Sequence, residues 1–113
     1  MSTNAFLAAA QATLDVIESA LGALADQTDI DIDIDRQGNV LKVVFDSGAT
    51  LVINSHEAAQ EIWVAARTGG FHYRLQDNQR WIDGRSGDEL FAVLSRLVSE
   101  LSGQHVLLSS RGD

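Results

Sequence analysis

The stretch "DIDIDIDRQGNVLKVVFDSGATLVI", residues 29–53, decides the fold of this chain. Apolar and polar residues alternate along it, and two short turn sequences rich in Gly, Asn, Asp and Ser interrupt it. Because successive side chains of a strand point to opposite faces, this pattern predicts an antiparallel meander. The three strands are expected over residues 29–35, 40–45 and 49–53.

The first of these strands, "DIDIDID" (29–35), places three isoleucines on one face and four aspartates on the other. Burial of each isoleucine contributes roughly 1.5–3 kcal/mol, so the isoleucine face is expected to meet the core. A register slip of one residue would bury every aspartate instead. Neighbouring carboxylates on one strand face lie about 7 Å apart and repel each other by roughly 0.6 kcal/mol per pair in water. The four aspartates are therefore expected to be exposed and to attract cations or a basic partner.

Helices are predicted on both sides of the strands. Apolar residues recur at three- and four-residue steps from Phe6 to Leu24, and again from Leu90 to Leu101. A capping box at 86–89 is expected to start the second helix, and Gly103 to end it. Further strands are expected at 62–66, 71–75 and 80–82, and the apolar tail at 105–108 is expected to pack beside the helices.

This order of elements indicates the α+β class. We expect a two-layer α-β sandwich, with the N- and C-terminal helices packed on one face of an antiparallel sheet of about six strands. The length fits a single domain over residues 1–113.

The charge of the chain is concentrated near its N-terminus. Residues 1–35 contain seven acidic residues and no Lys or Arg, whereas residues 36–113 contain nine acids and eight bases. The net charge of −8 disfavours nucleic acid and anionic membranes as partners, because phosphate groups would be repelled. No signal peptide is recognised, and no apolar run approaches the roughly 20 residues that span a bilayer. The chain is expected to be a cytoplasmic protein.

The sequence carries no enzyme motif. There is no cysteine, no glycine-rich phosphate loop and no nucleophile elbow. The three histidines, His56, His72 and His105, lie in different segments and are expected to be surface or packing residues. A calcium loop starting at Asp29 would need Gly and Glu where Ile34 and Val40 stand. A bound metal is therefore expected to be a hard cation held weakly by carboxylates.

Trp63 is a second candidate contact residue. In "IWVAAR" (62–67), strand alternation places either Ile62 or Trp63 away from the helices. The β-branched set suits the core, which favours an outward tryptophan as a contact hot spot, and a buried packing role is the alternative.

Four segments together resemble the frataxin family in its bacterial form. They are "LADQTDIDID", "FDSGATLVIN", "QEIWVAARTGGFHY" and "WIDGRSGDELF", and their order and spacing match over nearly the whole chain. The resemblance implies a compact α-β sandwich that binds iron weakly through surface acids and acts in iron–sulfur cluster assembly. It implies a non-enzymatic regulator or adaptor that docks on the cysteine desulfurase through its acidic residues and contacts the scaffold protein. It also implies a cytoplasmic location and a monomer, with metal-driven oligomers as the alternative.

The resemblance also implies site residues. Iron, or another divalent cation, would be held by Glu18, Asp26, Asp29, Asp31 and Asp33. Partner binding would use Asp29, Asp31, Asp33, Asn54, Gln60 and Trp63. The chain departs from the family at Gly22, Ala23 and Ala25, where carboxylates are usual, which shifts the expected metal binding from the helix end to the strand. Arg36, next to the aspartates, is expected to neutralise Asp35 in part.

Two other function classes stay open at this stage. One is an iron-oxidising or iron-storing protein, which needs closely set carboxylates that hold two irons. The other is a generic acidic module that binds basic proteins without regard to iron.

Overall fold

The protein consists of two helices packed on one face of a six-stranded antiparallel sheet. The structure, a computed structural model, describes residues 2–110. The elements are α1 (Thr3–Gln27), β1 (Ile32–Gln37), β2 (Val40–Phe45), β3 (Thr50–His56), β4 (Glu61–Ala66), β5 (Gly69–Leu75), β6 (Trp81–Asp83) and α2 (Leu90–Ser102). The strands lie side by side in chain order, β1 to β6, so β1 and β6 are the edges. The predicted two-layer α+β architecture is confirmed.

Strand alternation divides the sheet into an inner and an outer face. The inner face is apolar: Leu41 pairs with Ile53, which pairs with Val64, and all three are buried. The outer face carries the residues one step along each strand, which are exposed or half-buried. The helices cover only the inner face, so the outer face is left for solvent or a partner.

Helix α1 turns an apolar stripe toward the sheet. Ser2 caps its first turn by accepting a hydrogen bond from the Ala5 amide. Its buried residues recur at the spacing that the sequence predicts: Phe6, Ala10, Leu14, Ile17 and Leu21.

The length of α1 corrects one expectation. At 25 residues it is long and apolar enough, by composition alone, to cross a membrane. Its buried stripe packs into the domain core, and its polar flank bonds to Arg36 of β1. These contacts are those of a core helix.

Helix α2 begins later than the capping box predicts. Glu89, not Ser86, is the N-cap, and its carboxylate accepts hydrogen bonds from the amides of Phe91 and Ala92. The Ser86 hydroxyl accepts from Asp88 within the preceding turn. The helix ends at Gly103, as predicted, in the left-handed conformation with φ of 74°.

The tail after α2 packs beside the helices, as predicted. Its amides at Val106 and Leu108 donate to the hydroxyls of Ser99 and Ser95 on α2. Val106 is buried, whereas Leu107 points outward with 78% of its surface exposed.

Strand β1 is shorter at its start than the alternating sequence predicts. Ile32 pairs with Phe45, the last residue of β2, so residues before Ile32 have no partner strand. Asp29 and Asp31 therefore lie in the connection that leads into β1. Ile30 is still buried, which keeps the alternation of sides beyond the end of the strand.

Candidate functional site

The first candidate site is the acidic row, which we define as Asp29, Asp31, Asp33 and Asp35. All four side chains are exposed. Within residues 2–110, none of them forms an ion pair, and Asp35 Oδ2 accepts a hydrogen bond from Gln37 Nε2 at 3.2 Å. The row lies along β1 and just before it, and β1 is an edge strand, so a large partner can reach the row.

The acidic row extends from β1 into the connection before it. Asp33 and Asp35 lie on the outer face of β1, where Asp35 is directly opposite Lys42 of β2. Asp29 and Asp31 line a groove of about 240 Å³ together with Asp46 and the C-terminal end of α2. The groove adds a third carboxylate that the sequence analysis did not place near the row.

Arg36 does not neutralise Asp35, contrary to expectation. Its side chain lies on the inner face of β1, because it is one step along the strand from Asp35, and only 11% of its surface is exposed. Its Nη1 atom lies 3.0 Å from both Asp15 Oδ1 and Glu18 Oε1 on α1. Two helix acids are thereby neutralised in part, while the acidic row forms no ion pair with Arg36.

The structure brings the predicted metal ligands into one region but not into one site. Glu18 is occupied by Arg36, and Asp26 is exposed in the last turn of α1. In the part of the chain that the structure describes, no three His, Cys, Asp or Glu side chains are grouped closely enough to hold a metal ion. The arrangement suits weak, open cation binding.

The second candidate site lies on the outer face of the sheet, around Trp63. Ile62 and Val64 are buried, so Trp63 points outward, which confirms the predicted alternation. Asn54 of β3 is the direct cross-strand neighbour of Trp63, and His72 of β5 is its neighbour on the other side.

Two histidines sandwich the Trp63 indole. The His56 ring lies 4.0 Å from Trp63 between ring centroids, at an angle of 12°. The His72 ring lies 4.4 Å away on the opposite side, at 10°. Both faces of the indole are covered, and its edge is the part left for a partner.

Glu61 anchors this arrangement from the same strand as Trp63. Its carboxylate accepts a hydrogen bond of 2.8 Å from Trp63 Nε1 and one of 3.0 Å from Arg74 Nε, and it lies 3.7 Å from His72 Nδ1. Burial alone would raise the pKa of Glu61, but the hydrogen bonds from Trp63 and Arg74 and the nearby positive charge lower it below its ordinary value of 4.5. Glu61 is therefore held in its charged form. We call these five residues the sheet-face cluster: His56, Glu61, Trp63, His72 and Arg74.

Gln60, expected at the sheet-face contact, borders that face and lines a shallow cleft together with Asn54 and His56. It is in the turn before β4, with a φ of +54° that non-glycine residues seldom adopt. Its neighbour Glu61 takes the place beside Trp63. The spacing of Glu61 and Trp63 on one strand could have indicated this contact, since residues two apart share a face. His56 and His72 could not be placed without the register of three strands.

Comparison with known proteins shows the family of this chain. A family model described as a frataxin-like domain matches residues 1–104. The chain belongs to the frataxin family. The iron–sulfur cluster assembly protein CyaY of Cupriavidus pinatubonensis is 53% identical over 100 residues, which cover 88% of this chain and 89% of that one. The protein of the same name from Ralstonia pickettii is 47% identical over 110 residues, covering 97% and 96%.

Solved frataxin structures show the same fold. Frataxin from Psychromonas ingrahamii is 29% identical and superimposes with a TM-score of 0.84, covering 96% of this chain and 99% of that one. A trimeric frataxin from the yeast Saccharomyces cerevisiae, at 23% identity, superimposes with a TM-score of 0.74 over 85% of this chain and 80% of that one. In this frataxin-like chain, the acidic row and the sheet-face cluster are thus two separate candidate sites on one family fold.

Proposed function

We propose that the protein is a non-catalytic regulator of iron–sulfur cluster assembly that docks on the cysteine desulfurase through its acidic row. The observation that carries this proposal is that four aspartates stand exposed and without ion pairs at one sheet edge, within residues 2–110. The names of the relatives from Cupriavidus and Ralstonia support the pathway.

Charge makes a basic surface the natural partner of the acidic row. Opposite charges on two proteins speed their encounter, and this attraction weakens as salt screens it beyond about 8–10 Å. Hydrogen bonds from arginine or lysine groups of the desulfurase would offset the cost of removing water from these carboxylates.

Iron is proposed as cargo bound weakly by the same carboxylates. Oxygen ligands suit hard cations, iron among them, with little discrimination. Asp29, Asp31 and Asp46 line one groove, whereas Glu18 is engaged by Arg36. We therefore assign the main iron-binding role to the row and a lesser one to Glu18 and Asp26.

The outer sheet face is proposed to contact the scaffold protein through Trp63 and Asn54. Trp63 has the features of a contact hot spot, being a large aromatic residue held rigidly on an otherwise open face. Gln60 borders this face from the turn before β4, beside a shallow cleft that Asn54 also lines.

The iron-oxidising alternative requires two irons held by closely set carboxylates. Between residues 2 and 110, no group of three metal-ligating side chains has the required closeness. A generic acidic module would bind many unrelated basic proteins, and a pull-down from a cell extract that recovers such a mixture would favour it over the regulator.

The test is the triple variant Asp29→Asn, Asp31→Asn, Asp33→Asn. We expect at least about tenfold weaker desulfurase binding by calorimetry, which is roughly 1.4 kcal/mol, and weaker ferrous iron binding. Stability should be unchanged or slightly higher, because the repulsion within the row is relieved. Desulfurase activity is measured with and without ferrous iron in parallel.

A matched control removes the same charge elsewhere. The triple variant Glu57→Gln, Asp77→Asn, Asp88→Asn changes three exposed acids outside the row and its groove. It should bind the desulfurase and iron nearly as the wild type does. Equal affinities of both triple variants for the desulfurase would contradict the proposal.

A further inference from the structure

The chain contains few side chains that give up an electron readily. It has no cysteine, and its single methionine is Met1, so the remaining candidates are its two tryptophans and its one tyrosine: Trp63, Trp81 and Tyr73. An indole or phenol that has lost an electron is a far stronger acid than the neutral ring. Electron loss is therefore easiest where the N–H or O–H proton can pass to a base that is already in place.

Tyr73 has no such base. Its side chain is fully buried, and its hydroxyl has no hydrogen-bond partner within residues 2–110. Burial, together with the nearby charge of Asp83, raises the pKa of Tyr73 above its ordinary value of 10.0. The phenol proton is held in place, so Tyr73 is a poor electron donor.

Trp81 has a hydrogen-bond acceptor, but a neutral one. Its Nε1 atom donates to Thr13 Oγ1 at 2.9 Å, and only 3% of its surface is exposed. A hydroxyl does not take up a proton at neutral pH, so oxidation of Trp81 would leave a positive charge in the core. Burial of an unpaired charge is costly, which disfavours this site as well.

Trp63 differs from both because its partner is a carboxylate. Its Nε1 atom donates to Glu61 Oε1 at 2.8 Å, and Glu61 is held in its charged form. Arg74 Nε bonds the other carboxylate oxygen, Oε2, at 3.0 Å and so fixes the orientation of the base. The charge of Arg74 opposes electron loss nearby, but 64% of its side-chain surface is exposed, so water screens that charge.

The stacked rings on Trp63 favour the same step. His56 and His72 lie parallel to the indole, 4.0 Å and 4.4 Å from it between ring centroids. Aromatic faces attract positive charge, so neutral imidazoles on both sides stabilise the charge that develops on the indole. Trp81, in contrast, has an edge contact with Phe6 at 6.1 Å.

We propose that Trp63 is a redox site, at which one-electron oxidants take an electron from this protein, with Glu61 as the proton acceptor. The oxidant gains one electron, the Nε1–H bond breaks, and the proton forms an O–H bond with Glu61 Oε1. The products are a neutral indolyl radical, an uncharged carboxylic acid and the reduced oxidant. Oxidants of this class include the hydroxyl radical that forms when ferrous iron meets peroxide, which is reduced to hydroxide.

This redox role goes beyond the proposed function and does not rest on it. Its consequence is that oxidative damage is directed to one residue on the outer sheet face. The aromatic residues of the core, Trp81 and Tyr73, are thereby spared.

The test generates the azide radical, a small neutral one-electron oxidant, by pulse radiolysis in a solution of the whole protein. Transient visible absorption separates the indole radical cation from the neutral indolyl radical. In the wild type, the neutral radical should be present as soon as the pulse ends. The variant Glu61→Gln keeps an acceptor oxygen but removes the base, so the radical cation should persist at least about fivefold longer.

Peptide mapping after repeated pulses locates the oxidised residue. Oxidised Trp63 should exceed oxidised Trp81 in the wild type, and Glu61→Gln should lower this ratio at least about threefold, because the proton acceptor is lost. Trp63→Phe should abolish the early neutral radical. Glu57→Gln removes an exposed carboxylate that forms no ion pair within residues 2–110, and it should behave as the wild type does.

The comparison with Glu61→Gln separates the redox site from simple exposure of Trp63. Equal radical-cation lifetimes in that variant and the wild type would show that access alone selects Trp63, which overturns the inference. An early neutral radical that survives in Trp63→Phe overturns it too.

Discussion

The acidic row and the sheet-face cluster are built in opposite ways. The row consists of side chains from one short segment, exposed and without ion pairs in the described structure. The cluster joins side chains of three strands, and each of its members contacts another through stacking, hydrogen bonds or charge. The difference teaches that a small domain can attract one partner by charge and recognise another by fixed shape.

The acidic row and the sheet-face cluster should respond differently to the loss of one side chain. Loss of one aspartate from the row removes one charge of several, so its effect should be graded and sensitive to salt. Members of the cluster contact one another, so the effects of removing two of them should not be additive.

The largest effect is expected for Trp63→Ala, which removes the centre of the cluster. Scaffold binding should weaken by roughly 2 kcal/mol, about 30-fold, as for a typical hot spot. Stability should fall by only about 1–2 kcal/mol, because the indole edge is open and the loss is mainly that of two stacked pairs. Chemical denaturation and calorimetry measure the two quantities, with the exposed Leu107→Ala as a control. A stability loss of about 3–5 kcal/mol would mean that the ring belongs to the core.

A middle-sized effect is expected for Arg36→Gln, which releases Asp15 and Glu18. The variant loses hydrogen bonds to two partly exposed carboxylates, so we expect about 1 kcal/mol of destabilisation and a melting temperature lower by roughly 4–8 °C. Ferrous iron should bind more tightly, because two further acids become free beside the row. The control variant Lys42→Gln also removes one positive charge of the sheet, but from a side chain that forms no ion pair within residues 2–110. It should have the melting temperature of the wild type. If both variants had equal melting temperatures, Arg36 would not tie β1 to α1.

The smallest effect is expected from the titration of Glu61. Because its pKa in the folded protein is lowered below 4.5, its contribution to stability is complete above that pH and is lost as the pH falls through the folded value. Glu61→Gln should cost about 0.5–1 kcal/mol at pH 7, and the difference from wild type should shrink on acidification. Urea unfolding of both proteins across pH 3–7, followed by tryptophan fluorescence, measures this difference. A gap that stays constant over that range would show that the Glu61 charge does not hold the cluster.

Local pattern predicted most of the architecture because it depends on near neighbours in the chain. The spacing of apolar residues predicted both helices. The alternation of apolar and polar residues predicted the strands and the outward orientation of Trp63. The end of α2 at Gly103 follows from the backbone freedom of one residue. Element boundaries depend on more distant partners: β1 begins at Ile32 because its partner β2 ends at Phe45, and no local signal marks that limit.

The candidate sites likewise combine features that local pattern predicts with features that only the packing of the elements sets. The exposure of the acidic row follows from the isoleucines between its members, since burial of one set forces the other outward. The placement of Glu61 in the cluster instead of Gln60 depends on where β4 begins. Arg36 forms its ion pairs with Asp15 and Glu18 because α1 packs beside β1.

The amino-acid sequence by itself determined the α+β fold, the exposed aspartates and the outward tryptophan, because periodicity along a strand or helix assigns each side chain to a face. Only the tertiary structure decided that His56 and His72 enclose Trp63, because those residues come from three strands and meet through a register set by the whole sheet.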